Sequence, residues 1–362
     1  MTKEKQVYII AEAGVNHNGS LDLAMDLVRA AADAGADAVK FQTFKADHLV
    51  TRTADRAAYQ DRNTGDTDTQ YEMIRKLELS EADHLTIKAE CEARGIAFMS
   101  SPFDLASLHL LVETIEVDRL KIPSGEITNV PLLLSAARSG LPIILSSGVC
   151  TLADIESALS LIAFGYLNDA DLPTEGAIME AYASPDGQRI LRERVTLLHC
   201  TTEYPAPFDE VNLRVMDTFA SAFGISVGYS DHTRGIAIPI AAVARGATVI
   251  EKHFTLSRDL PGPDHRASLE PDELQAMVAS IRQVELALGS GVKKPSKSES
   301  FNRHIIRKSL VAAADIRKGE RFTEGNIGIK RPGGGLPPSK YWDLLGRTAL
   351  RDYAADERLV DE

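Results

Sequence analysis

The feature that most constrains the fold is an eightfold alternation of short apolar runs with helix-like segments between Val7 and Leu288. The runs are continuous and rich in β-branched residues, as expected of strands buried on both faces of a parallel sheet. In order they are VYIIAEAG, AVKFQTF, IAFMSSPF, RLKIPS, PIILSSG, VTLLHC, SVGYSD and ATVIEKHF. Eight βα units of this length favour a closed (β/α)8 barrel, with an open doubly wound sheet as the minor alternative.

Capping residues define the helices between these runs. Ser20, Ser80 and Thr151 each precede a segment predicted to be helical, and serine and threonine are favoured at the N-cap. Gly35 is placed to end the first helix, because glycine accepts the left-handed conformation that follows a helix end. Pro271–Leu288 is predicted as the closing helix of the barrel.

Two segments interrupt the alternation. Asp47–Asp68 is polar and rich in threonine and aspartate, which predicts a long loop. Tyr166–Arg194 is longer than an αβ connection requires, and we interpret it as an acidic surface excursion with one short helix near residues 187–193. For Tyr166–Arg194 we favour a tolerated insertion away from the functional site.

The composition changes after the closing helix. We assign residues 1–290 to the barrel and the Gly/Ser/Lys-rich residues 291–300 to a linker. Residues 301–362 contain short apolar runs separated by turn signals, which predict a small β-rich domain.

Polar side chains stand at the end of every predicted strand. In a parallel barrel these ends share one face, and catalysis occurs on that face. A single strand-end serine is more often a helix cap, but capping does not explain the pattern in all eight strands. The residues are Glu12, Lys40, Gln42, Ser101, Lys121, Ser124, Glu126, Ser146, Ser147, Thr202, Tyr204, Ser230, His232, Glu251 and His253.

Two histidines are expected to meet on that face. His232 and His253 follow neighbouring strands, and the segment GIAIPIAAVARGA between them has the spacing of a crossover helix. A right-handed strand–helix–strand unit places the ends of both strands at the same edge. Two convergent imidazoles are the start of a divalent-metal site, and two core histidines with satisfied hydrogen bonds are the alternative interpretation.

Composition and charge limit the classes of function. The net charge of the 362-residue chain is −12, which argues against nucleic acid or an anionic membrane as partner. No apolar run has membrane-spanning length, and the N-terminus lacks the pattern of a signal peptide. Three scattered cysteines, Cys91, Cys150 and Cys200, predict a reducing compartment, so we expect a cytoplasmic protein.

The strand ends also carry a family resemblance. The motifs AEAGVNHNGS, VKFQTF, KIPSGEITN, ILSSGV, LLHCTTEYPAP, VGYSDHT, EKHFT, PGPDH and KRPGGGL occur in this order. Over nearly its whole length the chain resembles the sialic acid synthase family. The resemblance implies a (β/α)8 TIM barrel followed by a C-terminal SAF domain similar to type III antifreeze proteins, in a domain-swapped homodimer. It also implies condensation of phosphoenolpyruvate with an N-acylated hexosamine aldehyde, with release of phosphate.

The same resemblance implies roles for individual residues. His232 and His253 match metal ligands, for Mn²⁺ or alternatively Mg²⁺ or Co²⁺. Glu126 matches a carboxylate that orients water, and Arg331 matches a residue that reaches the sugar from the partner chain. The positions that match phosphoenolpyruvate-binding residues are Lys40, Ser101, Lys121, Ser124, Ser146 and Ser230. The positions that match sugar-binding residues are Glu12, Gln42, Tyr204 and Asp264.

The choice of sugar depends on one motif. CTTEYPAP places Thr202 where typical members have asparagine, and it resembles the legionaminic acid branch, as does the long segment before VTLLHC. We therefore expect 2,4-diacetamido-2,4,6-trideoxymannose as substrate, with N,N'-diacetyllegionaminate as product. The alternatives are N-acetylmannosamine, which gives N-acetylneuraminate, and a pseudaminic acid precursor. A Schiff-base aldolase using Lys121, or a catalytically silent sugar- or metal-binding protein, represents other classes.

Overall fold

A computed structural model describes residues 6–56 and 68–361 of the chain. The chain divides into two compact units, Met1–Gly289 and Ser290–Glu362. Among the described residues, no helix combines the length and the apolar character needed to span a membrane.

The first unit is built on eight parallel strands, which confirms the predicted barrel. The sheet order is β3-β2-β1-β8-β7-β6-β5-β4, and the end strands β3 and β4 also contact one another, which closes the sheet. The strands are β1 (Tyr8–Gly14), β2 (Ala38–Thr43), β3 (Ala97–Pro102), β4 (Leu120–Ile122), β5 (Ile143–Ser146), β6 (Val195–Cys200), β7 (Ser226–Asp231) and β8 (Val249–His253).

Helices connect the strands, and the three predicted N-caps are confirmed. The side chains of Ser20, Ser80 and Thr151 each accept a backbone N–H in the first turn of their helix. Among the described residues of this unit, the α-helices are α1 (Leu21–Asp33), α2 (Ala46–Leu49), α3 (Gln70–Arg75), α4 (Glu81–Arg94), α5 (Leu105–His109), α6 (Val130–Arg138), α7 (Leu152–Leu167), α8 (Glu175–Ala183), α9 (Pro185–Arg194), α10 (Val215–Phe223), α11 (Ala237–Ala244) and α12 (Pro271–Leu288).

Two loop predictions differ from the structure. The segment 166–194 contains two helices, α8 and α9, where a single short helix near residues 187–193 was expected. Thr174 and Ser184 cap these helices, and the caps explain how an acidic segment that contains proline and glycine forms two helices. The predicted loop Asp47–Asp68 overlaps the end of α2, and its residues 57–67 lie outside the described part of the chain.

The barrel interior explains why polar residues collect at one face. Side chains alternate between the interior and the helical layer along each strand, so interior positions recur every second residue. One layer of the interior is an apolar plug of Ile10, Ala38, Met99, Ile144, Leu198 and Val249. Two residues further along the same strands come Glu12, Lys40, Ser101, Ser146, Cys200 and Glu251. The plug therefore forms the floor beneath the polar strand ends.

The second unit has its own small core. Strands β9 (Ser309–Ala312) and β10 (Ile327–Lys330) pair antiparallel, and the short helix α14 (Tyr341–Leu344) follows. The helix α13 (Lys297–Ile306) occupies the end of the segment predicted as a linker. A capping box between Ser296 and Glu299 explains why this polar sequence begins a helix.

Candidate active site

One cavity at the carboxyl ends of the strands collects most of the predicted site residues. The β-strand register brings them together: Glu12 pairs with Lys40 on one side and with His253 on the other, and Ser230 pairs with Glu251. The predicted residues that line the cavity are Glu12, Lys40, Gln42, Ser101, Lys121, Ser124, Ser146, Thr202, Tyr204, Ser230, His232, His253 and Asp264.

Two lysines and two carboxylates form a buried cluster at the floor of this cavity. Glu251 lies between the lysines, with its carboxylate 3.1 Å from Lys121 Nζ and 3.5 Å from Lys40 Nζ. Lys40 also forms an ion pair with Glu12 and donates a hydrogen bond to Ser101 Oγ at 3.0 Å. The cluster joins strands β1, β2, β4 and β8 across the barrel.

The two carboxylates of this cluster differ in their ionisation. Burial works to raise the pKa of Glu251, but Lys121 and Lys40 outweigh it, so its pKa lies below the usual value. Burial dominates at Glu12 and raises its pKa to about 7, although Lys40 opposes the shift. Lys40 keeps a raised pKa despite burial, because Glu12 and Glu251 face it. When Glu12 is protonated, the cluster has a surplus positive charge, which favours an anion.

The two histidines lie above this cluster with their rings in an edge-to-face arrangement, at an interplanar angle of 63°. Their ring centroids are 5.6 Å apart, and burial lowers the pKa of both imidazoles, that of His232 to about 4. His232 Nδ1 lies 2.5 Å from the carbonyl oxygen of Thr201, so that nitrogen donates and Nε2 is left as an acceptor. His253 Nδ1 is buried without a hydrogen-bond partner in the described part of the chain.

This pair could hold a divalent metal only with ligands from elsewhere. Within residues 6–56 and 68–361, no group of three or more His, Cys, Asp and Glu side chains is arranged to bind a metal. Two neutral imidazoles, one of them with an unpartnered buried nitrogen, nevertheless fit a metal that takes its remaining ligands from substrate and water.

Gly148 lets one side of the cavity close tightly. A Cβ at this position would lie 2.1 Å from Thr202 Oγ1 and 2.9 Å from Ser124 Oγ. The Gly148 N–H donates to Ser124 Oγ at 2.9 Å, which orients that hydroxyl, and Cys200 Sγ lies 3.2 Å from the same oxygen. Only glycine permits this approach, so Gly148 sets the position of Thr202.

Two of the residues predicted to bind sugar, Tyr204 and Glu12, lie next to the histidines. The Tyr204 ring is 4.1 Å from that of His232, measured between centroids, and Gln42 donates to Glu12 at 3.5 Å. Asp264 is 7% exposed, and burial raises the pKa of its carboxyl to about 6. On the opposite side, the buried Ser146 hydroxyl has no partner among the described residues and is available to a ligand.

Two predicted residues lie apart from this group. Glu126 follows β4 in a short 3₁₀ turn and does not line the cavity; its carboxylate accepts a hydrogen bond from Asn129 Nδ2 at 2.6 Å. Burial raises the pKa of Glu126, and the bond from Asn129 opposes the shift. Arg331 belongs to the second unit, where it is exposed directly after β10.

The structure adds cavity residues that sequence reasoning missed. Glu251 was noted as a strand-end residue but was given no role. Gln70, Met73, Ile74 and Leu77 also line the cavity, although no element was predicted between Asp68 and Ser80. Their spacing of three, four and seven residues is typical of one face of a helix and could have identified α3.

The buried lysines and the paired imidazoles lie at the carboxyl ends of the barrel strands, where the active sites of TIM-barrel enzymes are found. Comparison with sequence models of known protein families identifies the family of this chain. The NeuB family model matches residues 27–293 and the SAF domain model matches residues 307–361. The chain therefore belongs to the NeuB family and carries a SAF domain.

Individual relatives are similar over almost the whole chain. An N,N'-diacetyllegionaminic acid synthase from Campylobacter jejuni is 49% identical, with 98% of each chain covered. A protein of the same name from Legionella pneumophila is 46% identical over 98% of this chain and 94% of its own. The crystal structure of an N-acetylneuraminic acid synthetase from Leptospira borgpetersenii superposes with a TM-score of 0.66 at 35% identity, covering 82% of this chain and 90% of that one.

Proposed function

We propose that this chain condenses phosphoenolpyruvate with 2,4-diacetamido-2,4,6-trideoxymannose to form N,N'-diacetyllegionaminate and phosphate. The observation that carries the proposal is the presence of two buried lysines and two neutral imidazoles in one cavity. The lysines suit the anionic substrate and the imidazoles suit the carbonyl substrate. The choice of sugar is supported by the names of relatives that are 49% and 46% identical to the chain.

Lys40 and Lys121 are proposed to hold the phosphate and carboxylate groups of phosphoenolpyruvate. Buried ammonium groups need negative partners to offset the loss of hydration, and Glu12 and Glu251 supply them before substrate enters. The hydroxyls that complete the anion site are those of Ser101, Ser124, Ser146 and Ser230. The raised pKa of Glu12 allows this carboxyl to take up a proton as the anion arrives.

Carbon–carbon bond formation would take place between the lysines and the imidazoles. C3 of phosphoenolpyruvate forms a bond to the aldehyde carbon, and the aldehyde oxygen takes up a proton and becomes a hydroxyl. A divalent metal held by His232 and His253, with Mn²⁺ preferred over Mg²⁺ or Co²⁺, would polarise that oxygen when bound. His232 is held for this role by its bond to the Thr201 carbonyl.

The second half of the reaction removes the phosphate. As the new bond forms, an oxocarbenium-like centre develops at C2, and water adds there with loss of a proton. The C2–O bond to phosphate then breaks, phosphate leaves with the bridging oxygen, and the C2 hydroxyl loses its proton to give the ketone. The family resemblance assigns the orientation of the water to Glu126, which follows the strand that carries Lys121 but does not itself line the cavity.

Thr202 and the residues near the histidines are proposed to recognise the sugar. Thr202 offers a hydroxyl where typical members of the family have an amide, and Gly148 fixes its position. Glu12, Gln42, Tyr204 and Asp264 line the same cavity. Arg331 is proposed to act from the partner chain of a domain-swapped homodimer.

N-acetylneuraminate synthase is the second candidate, and similarity to the Leptospira borgpetersenii synthetase at 35% identity favours it. A Schiff-base aldolase is a poorer fit, because Lys121 is paired with Glu251 and a Schiff base requires the free amine.

A paired assay tests the function. The chain is supplied with phosphoenolpyruvate and Mn²⁺, and with either 2,4-diacetamido-2,4,6-trideoxymannose or N-acetylmannosamine, while 2-keto acid and phosphate are measured. We expect a strong preference for the diacetamido sugar, and equal amounts of the two products. A preference for N-acetylmannosamine would make the second candidate correct. Product that forms equally well after treatment with EDTA would contradict the proposed requirement for a divalent metal.

A further inference from the structure

The cavity has an apolar wall that is separate from the barrel core. This apolar wall consists of Val15, Phe44, Leu49, Met73, Ile74 and Leu77. All six belong to a hydrophobic cluster of their own, formed by the segments that follow β1 and β2. Large apolar side chains that line a polar cavity indicate a ligand with an apolar part.

Helix α3 supplies half of the wall. Met73 and Ile74 lie on one face of the helix, Leu77 follows one turn later, and their exposed fractions are only 8–9%. Glu72 and Arg75 lie on the opposite, exposed face. This amphipathic pattern directs the apolar side chains into the cavity rather than towards solvent.

The wall is held in place by backbone contacts. Thr69 and Glu72 form a capping box at the start of α3. Just after its end, the carbonyl oxygen of Lys76 would lie 2.3 Å from a Cβ at Gly19, so the loop before α1 packs directly against it. Glu78 accepts a hydrogen bond from the Ala46 N–H at 2.8 Å, which ties this segment to α2.

The wall begins beside the imidazole pair. Gly14 precedes Val15, and a Cβ at Gly14 would lie 3.4 Å from Cε1 of His253. A sugar whose aldehyde lies at the imidazoles, with the anion site beneath, therefore extends its other end along the wall.

We propose that the apolar wall binds the deoxygenated end of the sugar, with the C6 methyl group and the methyl of the C4 acetamido group against Met73, Ile74 and Leu77. The inference rests on the proposed function and adds the residues that select a 6-deoxy sugar. A 6-hydroxyl group in this position would lose its water without gaining a hydrogen bond from these side chains. The wall thus discriminates against 6-hydroxy sugars.

The test compares two sugars that differ only at C6. These are 2,4-diacetamido-2,4,6-trideoxymannose and its 6-hydroxy counterpart, 2,4-diacetamido-2,4-dideoxymannose. We expect kcat/KM of the full-length wild-type enzyme to favour the 6-deoxy sugar by on the order of 10- to 100-fold. Met73→Gln and Ile74→Thr should each reduce this ratio about tenfold, through the sugar KM, and leave the KM of phosphoenolpyruvate unchanged.

Tyr71→Leu is the matched control. Tyr71 is buried in the same cluster and on the same helix but does not line the cavity, so its loss should lower stability without altering the sugar ratio. Leu77→Val removes one methylene and keeps the wall apolar. This variant replaces Met73→Gln and Ile74→Thr in the test if those polar variants fail to fold. It should reduce the ratio by about fourfold.

The outcomes separate this inference from the function on which it rests. If the wild-type enzyme uses the 6-deoxy and 6-hydroxy sugars equally well, or if the folded wall variants keep the wild-type ratio, the wall does not select the sugar and the inference is wrong. If the wild-type enzyme uses neither diacetamido sugar, the proposed function itself fails and the inference fails with it.

Discussion

At the scale of single residues, the site contains a carboxyl group that is costly to bury. Burial raises the pKa of Asp264 to about 6, and within the described part of the chain no neighbouring cation offsets the shift. An aspartate in the unfolded chain has a pKa of about 3.9. Between these values the unfolded chain loses its proton while the folded protein keeps it, so the stability of the fold declines as the pH rises. Above pH 6 the loss of folding free energy caused by this carboxyl levels off at about 3 kcal/mol.

Replacement of this carboxyl should therefore stabilise the protein in a pH-dependent way. We expect Asp264→Asn to have a higher free energy of unfolding than the wild type at pH 8. The difference should be much smaller near pH 4, because the folded carboxyl is protonated there and the unfolded one is only about half ionised. Urea denaturation of the EDTA-treated protein at the two pH values measures the difference. The same variant should raise the KM of the sugar, since the proposed role of Asp264 is in sugar binding.

Asp154→Asn is a control with the opposite sign. Asp154 caps α7, and the hydrogen bonds from Thr151 lower its pKa, so its ionised form stabilises the fold above the unfolded pKa. This variant should be less stable than the wild type at pH 8, with a smaller difference at lower pH. If Asp264→Asn also destabilised the protein at pH 8, Asp264 would be a structural acceptor rather than a buried charge held for the substrate.

At the scale of secondary-structure elements, local signals predicted the barrel well. Each strand is a continuous apolar run, and Ser20, Ser80 and Thr151 fix helix starts through contacts within one turn. The collection of polar strand ends in one cavity follows from parallel topology alone. These features depend on residues that are neighbours in sequence or in strand order, so they can be predicted from the sequence.

Other features depend on distant contacts and were missed. Helix α3 is short and follows a polar segment, and its apolar residues pack against side chains that follow β1 and β2, which are distant in the sequence. Glu251 stands at a strand end like many others, and its importance comes from two lysines on strands that lie far away in the sequence. The roles of the individual cavity residues remain predictions.

The link that Glu251 makes between strands can be tested through its charge. Glu251→Gln leaves Lys40 and Lys121 with only Glu12 to balance them, so the free energy of unfolding should fall by roughly 3 kcal/mol in phosphate-free buffer. An added anion replaces the lost charge. Saturating phosphate should therefore raise the melting temperature of the variant more than that of the wild type, as measured by thermal denaturation.

Glu90→Gln is the matched control for this experiment. Glu90 also lies between two cations, Arg29 and Arg94, but at the protein surface. Its replacement should have a smaller effect on stability and none on the response to phosphate. Equal phosphate responses in wild type and Glu251→Gln would mean that the two lysines do not form an anion site.

At the scale of the whole molecule, the net charge of −12 contrasts with the two buried lysines of the cavity. Close, buried charges decide binding, because distant surface charges are screened by salt. In the proposed homodimer, an active site also requires a second chain, since Arg331 lies in the second unit and is proposed to complete the site of the partner chain. If each site takes residues from both chains, two variants with different defects can together form one intact site in a mixed dimer.

Mixing two inactive variants should therefore restore activity. Arg331→Ala keeps an intact barrel, and Lys121→Met keeps an intact second unit. In a heterodimer, the intact barrel of one chain receives Arg331 from the other, which gives one complete site and one doubly defective site. After full subunit exchange, half of the dimers are mixed, so activity should return to about a quarter of the wild-type value. Native mass spectrometry measures the exchange, and keto acid formation at a sugar concentration near the wild-type KM measures the recovery.

The control mixture combines Lys121→Met with Lys40→Met. Both defects lie in the barrel, so each site of that heterodimer contains one defective barrel and no activity should return. If the mixture of Arg331→Ala and Lys121→Met also stays inactive while mass spectrometry shows mixed dimers, Arg331 does not act across the dimer. If the variants never form mixed dimers because the protein is a monomer, the domain-swapped assembly itself is wrong. Recovery confined to the first mixture would place Arg331 in the partner's active site.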